Sequence, residues 1–306
     1  NPLNPPATMI ELCIEAINVL WNVELTTRGP SQLSRETADA VLPYIAYEMS
    51  VADSKTDSIR IKEDDLKTKL SKYCRAHPIQ PYMPDPESFV DLLAEEIWLF
   101  SCSGHHEKQR TFEFIHLVFQ HFLAAQAMCQ GLAKRTNQYA PVEESALELV
   151  IDTTEYRSIE TWRDINEGVR QRYQHRKEVL KLCIGLCRRY EVQKIVSMIL
   201  PEKESHEYLQ CTPAQRRLRA LLTAYAFSER DNMTDSVAEL VVTRFIDAMC
   251  EDDVLFTHRA PTLFYRIAGA LKTNSRLSRV FSEKLLDSEL TGASRLHTHF
   301  FGPVLD

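Results

Sequence analysis

Apolar residues recur at helical spacing over most of the chain. In residues 8–24 the stripe is Met9, Leu12, Cys13, Ala16, Ile17, Leu20 and Trp21, which predicts one amphipathic helix. Beyond Gly29 and Pro30 a second stripe, Ala38, Val41, Leu42, Ile45, Ala46 and Met49, predicts a helix over 37–49. Pro43 lies inside it, so this helix is expected to start late or to bend. Residues 64–74 read as a further helix and the proline-laden 77–86 as an extended connection. Asp85-Pro86-Glu87 combines a capping side chain, a proline at the first helical position and an acid in the first turn, and so opens a helix that buries Phe89, Leu92, Leu93 and Ile97.

The pattern then changes. Residues 98–102 and 111–115 are short aromatic and apolar runs flanking the polar SGHHEKQ of 103–109, which predicts a β-hairpin. A helix over about 117–129 follows, with Gly131 placed to stop it. Helices, a two-stranded hairpin and a closing helix make a winged-helix pattern. After a polar linker at 132–145 the periodicity is helical throughout, with helices expected over 146–151, 160–174, 176–190, 192–200, 213–230, 235–250, 261–272 and 277–290. No strict repeat occurs, but the period of the helix pairs suggests a superhelical array of TPR or HEAT type. The expected fold is therefore mainly α: a winged-helix domain with a small β-hairpin at 30–131, preceded by the end of a helical domain at 1–29 and followed by an α-superhelical region at 132–306.

A chain of 306 residues exceeds the size at which single cores stop growing, consistent with more than one packed unit. With 44% hydrophobic and 26% charged residues and no apolar run of membrane-spanning length, the expectation is a cytoplasmic protein without a membrane partner. Eight cysteines, with no CxxC pair and no secretory leader, fit a reduced compartment. The eight glycines form no GxxxxGK[ST] or GxGxxG cluster, so no phosphate-cradling loop is present. The opening Asn1-Pro2-Leu3, without an initiator methionine, suggests part of a longer chain.

A winged helix raises the question of DNA. In such folds the helix before the wing enters the major groove and needs cations. Here it carries Asp85, Glu87, Asp91, Glu95 and Glu96 and no base, so direct DNA binding is not expected. His105, His106, Lys108 and Arg110 at the wing tip form only a weak cationic patch beside Glu107. The basic stretch Arg170, Arg172, Arg176, Lys177, Lys181, Arg188 and Arg189, interleaved with Tyr173 and Tyr190, reads as a solvated helical face. His116 and His121 lie five residues apart and point to different helix faces, and neither they nor the pairs His105/His106 and His297/His299 match zinc-ligand spacing, so no metal site is expected. No nucleophile can be assigned from spacing, and no catalytic residue is expected.

The informative stretch is TFEFIHLVFQHFLAAQA, residues 111–127. His116 falls at its strand-to-helix junction, where first-turn amides and the helix dipole favour an anion. Two readings stand: a buried histidine bonding a nearby carbonyl, or an imidazole donating to a bound phosphate.

This run resembles the F-x-F-I-H-x-S-F-Q-E-Y-L-A-A segment that ends the winged-helix domain of NACHT-type STAND nucleoside triphosphatases, signalling ATPases of innate immunity and antiphage defence. Phe112, Phe114, Ile115, His116, Phe119, Gln120, Leu123, Ala124 and Ala125 match, while Val118, His121 and Phe122 replace Ser, Glu and Tyr. Upstream, MIELCIEAINVLW is similar to the L-Y-E-x-x-I-x-x-L-L-x-x-W helix between the nucleotide-binding core and the winged helix, and Asn1-Pro2-Leu3 is similar to the end of an adenine-contacting N-P-L motif. The resemblance covers about residues 1–131; the later helices resemble the family's sensor arrays only in kind.

The resemblance implies that His116 contacts the β-phosphate of ADP and holds the protein closed. Phe114, Ile115, Phe119 and Leu123 would be packing residues that set its position. Valine at 118 would cost a local capping hydrogen bond, and histidine at 121 would remove a carboxylate. By this resemblance the chain is the regulatory and sensor part of a STAND ATPase acting in antiviral defence. It holds an ADP-bound, autoinhibited state and switches to a homo-oligomeric signalling state when a protein ligand, such as a phage protein, engages the helical array. ADP or ATP with Mg would sit mainly on the nucleotide-binding core of the same chain, outside these residues, so the fragment itself is not expected to be an enzyme. A STAND-type transcriptional regulator or a helical protein-protein interaction scaffold is the alternative.

Overall fold

The computed structural model describes residues 8–28, 34–51, 59–76, 86–96, 98–106, 109–132, 140–150, 167–227, 234–250 and 275–287. The expected cap at Asp85, residues 77–85 of the 77–86 connection, the helix at 261–272, residues 133–139 of the 132–145 linker, the pair His297/His299 and the tip residues Glu107 and Lys108 lie outside them. What is described is mainly helical with one small three-stranded sheet. Contacts divide the chain into two units, one of residues 1–145 and 172–186, the other of 146–171 and 187–306.

The first unit starts with α1 (Met9–Arg28). Its entry is a reciprocal capping box: the Glu11 amide donates to Thr8 Oγ1 at 3.2 Å and the Thr8 amide to the Glu11 carboxylate at 3.1 Å. In α2 (Arg35–Ser50) the Ser34 hydroxyl accepts from the Thr37 amide at 3.1 Å. This helix does not wait for Pro43, which is buried inside it; the late start expected from that proline does not occur. The stripe Ala38, Val41, Leu42, Ile45, Ala46 and Met49 is buried, and α2 packs along the closing helix α5 (Leu117–Cys129).

Between them come β1 (Arg60–Lys62), α3 (Glu63–Ala76), α4 (Pro86–Glu96), β2 (Phe100–His106) and β3 (Gln109–Phe114). The strand order is β1-β3-β2, all antiparallel. Strand β1 was not expected. Ile61 alone of its three residues is buried, opposite Phe112 of β3. The hairpin is also longer than the apolar runs that announced it, because β2 carries a bulge between Cys102 and Gly104 and continues through residues read as loop. Gly104 sits there at φ 152°, where a side chain is strained. Phe100 stacks on Phe112 at 5.8 Å and meets Phe114 edge-on at 5.0 Å, giving the sheet its buried face.

Helix α5 ends as expected: Gly131, at φ 71°, turns the chain out of it. Helices α6 (Val142–Val150) and α7 (Glu167–Leu186) each have residues in both units. Helix α7 is continuous where two helices meeting near residue 175 were expected. The second unit continues with α8 (Arg189–Ile199), a short α9 (His206–Gln210), α10 (Pro213–Phe227), α11 (Asp235–Cys250) and α12 (Ser275–Asp287). Thr212 opens α10 with another reciprocal box, accepting from the Gln215 amide at 3.2 Å while its own amide donates to the Gln215 side chain at 2.9 Å. Consecutive helices pack, α10 on α11 and α11 on α12, around Leu222, Phe227, Val241, Phe245 and Leu277.

Candidate functional site

His116 occupies the junction that its place in the sequence implied. Strand β3 ends at Phe114, and the Ile115 amide donates back to the Leu99 carbonyl at 3.1 Å. His116 then takes an extended conformation, φ −149° and ψ 136°, and caps α5. Its Nδ1 accepts from the Val118 amide at 3.1 Å, and its carbonyl accepts from the Phe119 amide at 3.0 Å. The ring thus covers one of the first-turn amides that would otherwise face an anion.

The side chain is exposed, which removes the reading of a buried histidine. An Nδ1 that accepts carries no proton, so the neutral ring bears its N–H on Nε2. The cap that valine at 118 was expected to cost is supplied by His116 itself, through the Val118 backbone.

The surrounding residues divide. Phe114 and Leu123 are buried, and Phe119 sets its ring edge-on to the imidazole at 6.4 Å. Ile115 is 48% exposed, so the packing role implied for it is not what this residue does; extended backbone turns its side chain away from the Phe114 face. His121 points the other way from His116, into the unit. Its Nε2 lies 2.7 Å from Nδ1 of His175 on α7, both rings buried and perpendicular. Burial, then the neighbouring His175 and His116, push its pKa down to about 3.

Among the described residues of the hairpin, Arg110 meets acidic partners. Arg110 donates to both oxygens of Glu63 at 2.8 and 2.9 Å and lies 2.6 Å from Asp91. Lys67 adds a contact to Glu63 at 3.0 Å, and Gln109 bonds Asp64. The Arg110 guanidinium, then Lys67, lower the Glu63 carboxyl to about 2, and the carboxylates raise Arg110. The basic stretch expected to form a solvated face divides: Arg176 and Lys177 are buried, whereas Arg188 and Arg189 are exposed. Cys129 of α5 and Cys183 of α7 bring their sulfurs to 3.9 Å, a proximity that their distance in sequence conceals.

Sequence reasoning missed a cleft in the second unit. Tyr208 of α9, Arg216 and Arg219 of α10, and Arg244 and Asp247 of α11 line it, with a volume of about 360 Å³ including the part open to solvent. The guanidiniums of Arg216 and Arg244 lie 4.9 and 5.3 Å from the Tyr208 ring centre. Arg216 donates to the Cys211 carbonyl at 2.6 Å and Arg244 to the Pro201 carbonyl at 3.1 Å. Asp247 meets Lys203 at 2.8 Å and Arg244 at 3.6 Å. A signal was present: Arg216 and Arg219 recur at i,i+3 beside the buried Leu218 and Ala220.

No helix among the described residues is long and apolar enough to cross a membrane. Comparisons with protein-family models, curated proteins and solved structures return no match to this chain.

Proposed function

We propose that this chain is the regulatory and sensor part of a NACHT-type STAND ATPase, with His116 as the group that holds the β-phosphate of ADP in the closed state. The observation that carries the reading is the geometry at the start of α5: an exposed imidazole, fixed by its own Nδ1 to the Val118 amide, with Nε2 as the remaining donor. Two further features support it. The order α2-β1-α3-α4-β2-β3-α5 with strands arranged β1-β3-β2 suits a winged helix. The consecutive packing of α10, α11 and α12 suits a helical array able to receive a protein ligand.

On this reading the nucleotide-binding core, with ADP or ATP and Mg, belongs to chain outside these residues, and the fragment alone hydrolyses nothing. ADP bridging that core and His116 favours the closed form. A ligand on the array favours an open, oligomerising form that signals in antiviral defence. Inverting the populations from about 1:99 to 99:1 requires the ligand to prefer the open form by roughly 5.5 kcal/mol. The wing offers little to DNA, since Arg110 is held by Glu63 and Asp91.

The test is His116→Ala in a chain that includes the nucleotide-binding core, with co-purified nucleotide measured after denaturation and oligomeric state measured without trigger. ADP content is expected to fall and basal oligomerisation to rise. His116→Asn retains a capping side chain and loses the Nε2 donor, so it should behave like alanine in ADP retention while α5 stays intact. Unchanged ADP content and unchanged basal state in both variants would refute the latch.

A further inference from the structure

The lining of the cleft in the second unit carries more cations than anions. Three arginines line it, Lys203 stands beside them, and Asp247 is the one carboxylate among the lining residues. That carboxylate already faces Lys203 and Arg244. Arg216 and Arg244 each give one guanidinium nitrogen to a backbone carbonyl.

Arg219 is the sharpest case. Among the described residues its guanidinium has neither an ion pair nor a hydrogen bond. Burial pulls it below the usual arginine range, against an opposing contribution from Cys211. A desolvated cation without a counter-charge is costly unless something anionic joins it.

We propose that this cleft binds the oxyanion group, phosphate or carboxylate, of a small molecule. Arginine presents a planar fork that matches either group with two parallel hydrogen bonds. Ile199, Leu200 and Tyr208 give the cleft an apolar and aromatic wall against which the body of such a molecule rests. The enclosed part of the cleft is small and its mouth is open to solvent, so only the acidic group enters and the remainder lies outside. None of its residues is shared with the function proposed above, on which it does not rest.

The test is a thermal melt and a calorimetric titration of the 306-residue chain with inorganic phosphate and with acetate, each against sodium chloride at equal ionic strength. Phosphate or acetate is expected to bind saturably and raise the midpoint by a few degrees, since at ten times its dissociation constant a ligand multiplies the folded-to-unfolded ratio about elevenfold. The anion that saturates at lower concentration identifies the group. Arg219→Leu should abolish the rise and, by removing an uncompensated charge, melt above the unmodified chain when no anion is added. Asp247→Asn, which leaves every cation in place and removes the competing carboxylate, should lower the half-saturating concentration several-fold. His116→Ala should change none of this. The proposal fails if chloride matches both anions, if Arg219→Leu retains the rise or melts below the unmodified chain without anion, if Asp247→Asn weakens binding, or if His116→Ala abolishes it.

Discussion

Arg110 and Arg219 are the same side chain in opposite circumstances. Arg110 stands near the hairpin end of the central strand β3, and two carboxylates from two different helices, Glu63 of α3 and Asp91 of α4, converge on it. Arg219 stands in a cleft between helices with no carboxylate of its own. The first is held in its charged form by neighbours; the second is pulled away from it by burial. The contrast separates two uses of a cation: one fastens α3 and α4 to the hairpin, the other is left open at a place where a ligand can complete it.

The strongest way to break the comparison is to remove what Arg110 rests on. Its guanidinium lies 5.5 Å from the ring centre of Phe112, which is fully buried against Phe100. Phe112→Ala should destabilise the first unit by about 3–5 kcal/mol in denaturant unfolding and release Arg110 from its carboxylates. A loss below about 1 kcal/mol would mean that the sheet does not organise that side of the unit.

A smaller effect is expected from Glu63→Gln, which keeps the shape and removes the charge. The pair is partly exposed, so screening reduces the loss to about 1–2 kcal/mol at neutral pH. An opposite sign from Arg219→Leu under the same conditions is the sharpest form of the contrast. Two variants shifting in the same direction would dissolve it.

Acid separates the contributions further, and gradually. His121 has its pKa lowered to about 3, so the folded protein resists protonating a group that the unfolded chain protonates near 6.5. Its contribution is present above about pH 6.5 and is lost as pH falls toward 3. Glu63, lowered to about 2, contributes above about pH 4.5 and loses that contribution as pH falls toward 2. Unfolding midpoints measured from pH 7 downward should therefore begin to fall before carboxylates titrate, and Glu63→Gln should leave that early fall unchanged. A flat profile between pH 6.5 and 4.5 would remove His121 from the account.

The end of the sheet and the start of α5 were legible because they rest on local signals. An apolar run changed period at His116, and Gly131 supplied the stop. Strand β1 was not legible: three residues with a single buried Ile61 carry no alternation, and only pairing with Phe112 makes them a strand. The length of β2 was hidden by its polar residues, which a bulge at Gly104 and one solvated face allow. His116 could be singled out by position, but its exposure and the Val118 bond could not, because a ring at a junction can turn either way. The cleft was legible only in part, for a different reason. Spacing puts Arg216 and Arg219 on one side of α10, yet nothing local says that Tyr208 and Arg244 arrive beside them.

The bond from the Val118 amide to His116 has one more consequence. A ring pinned at one nitrogen has a single neutral tautomer, and the two nitrogens then differ sharply in magnetic resonance. His116 is in this sense a built-in reporter: its Nδ1 signal follows the integrity of the first turn of α5, while its Nε2 signal is left to follow whatever approaches from outside.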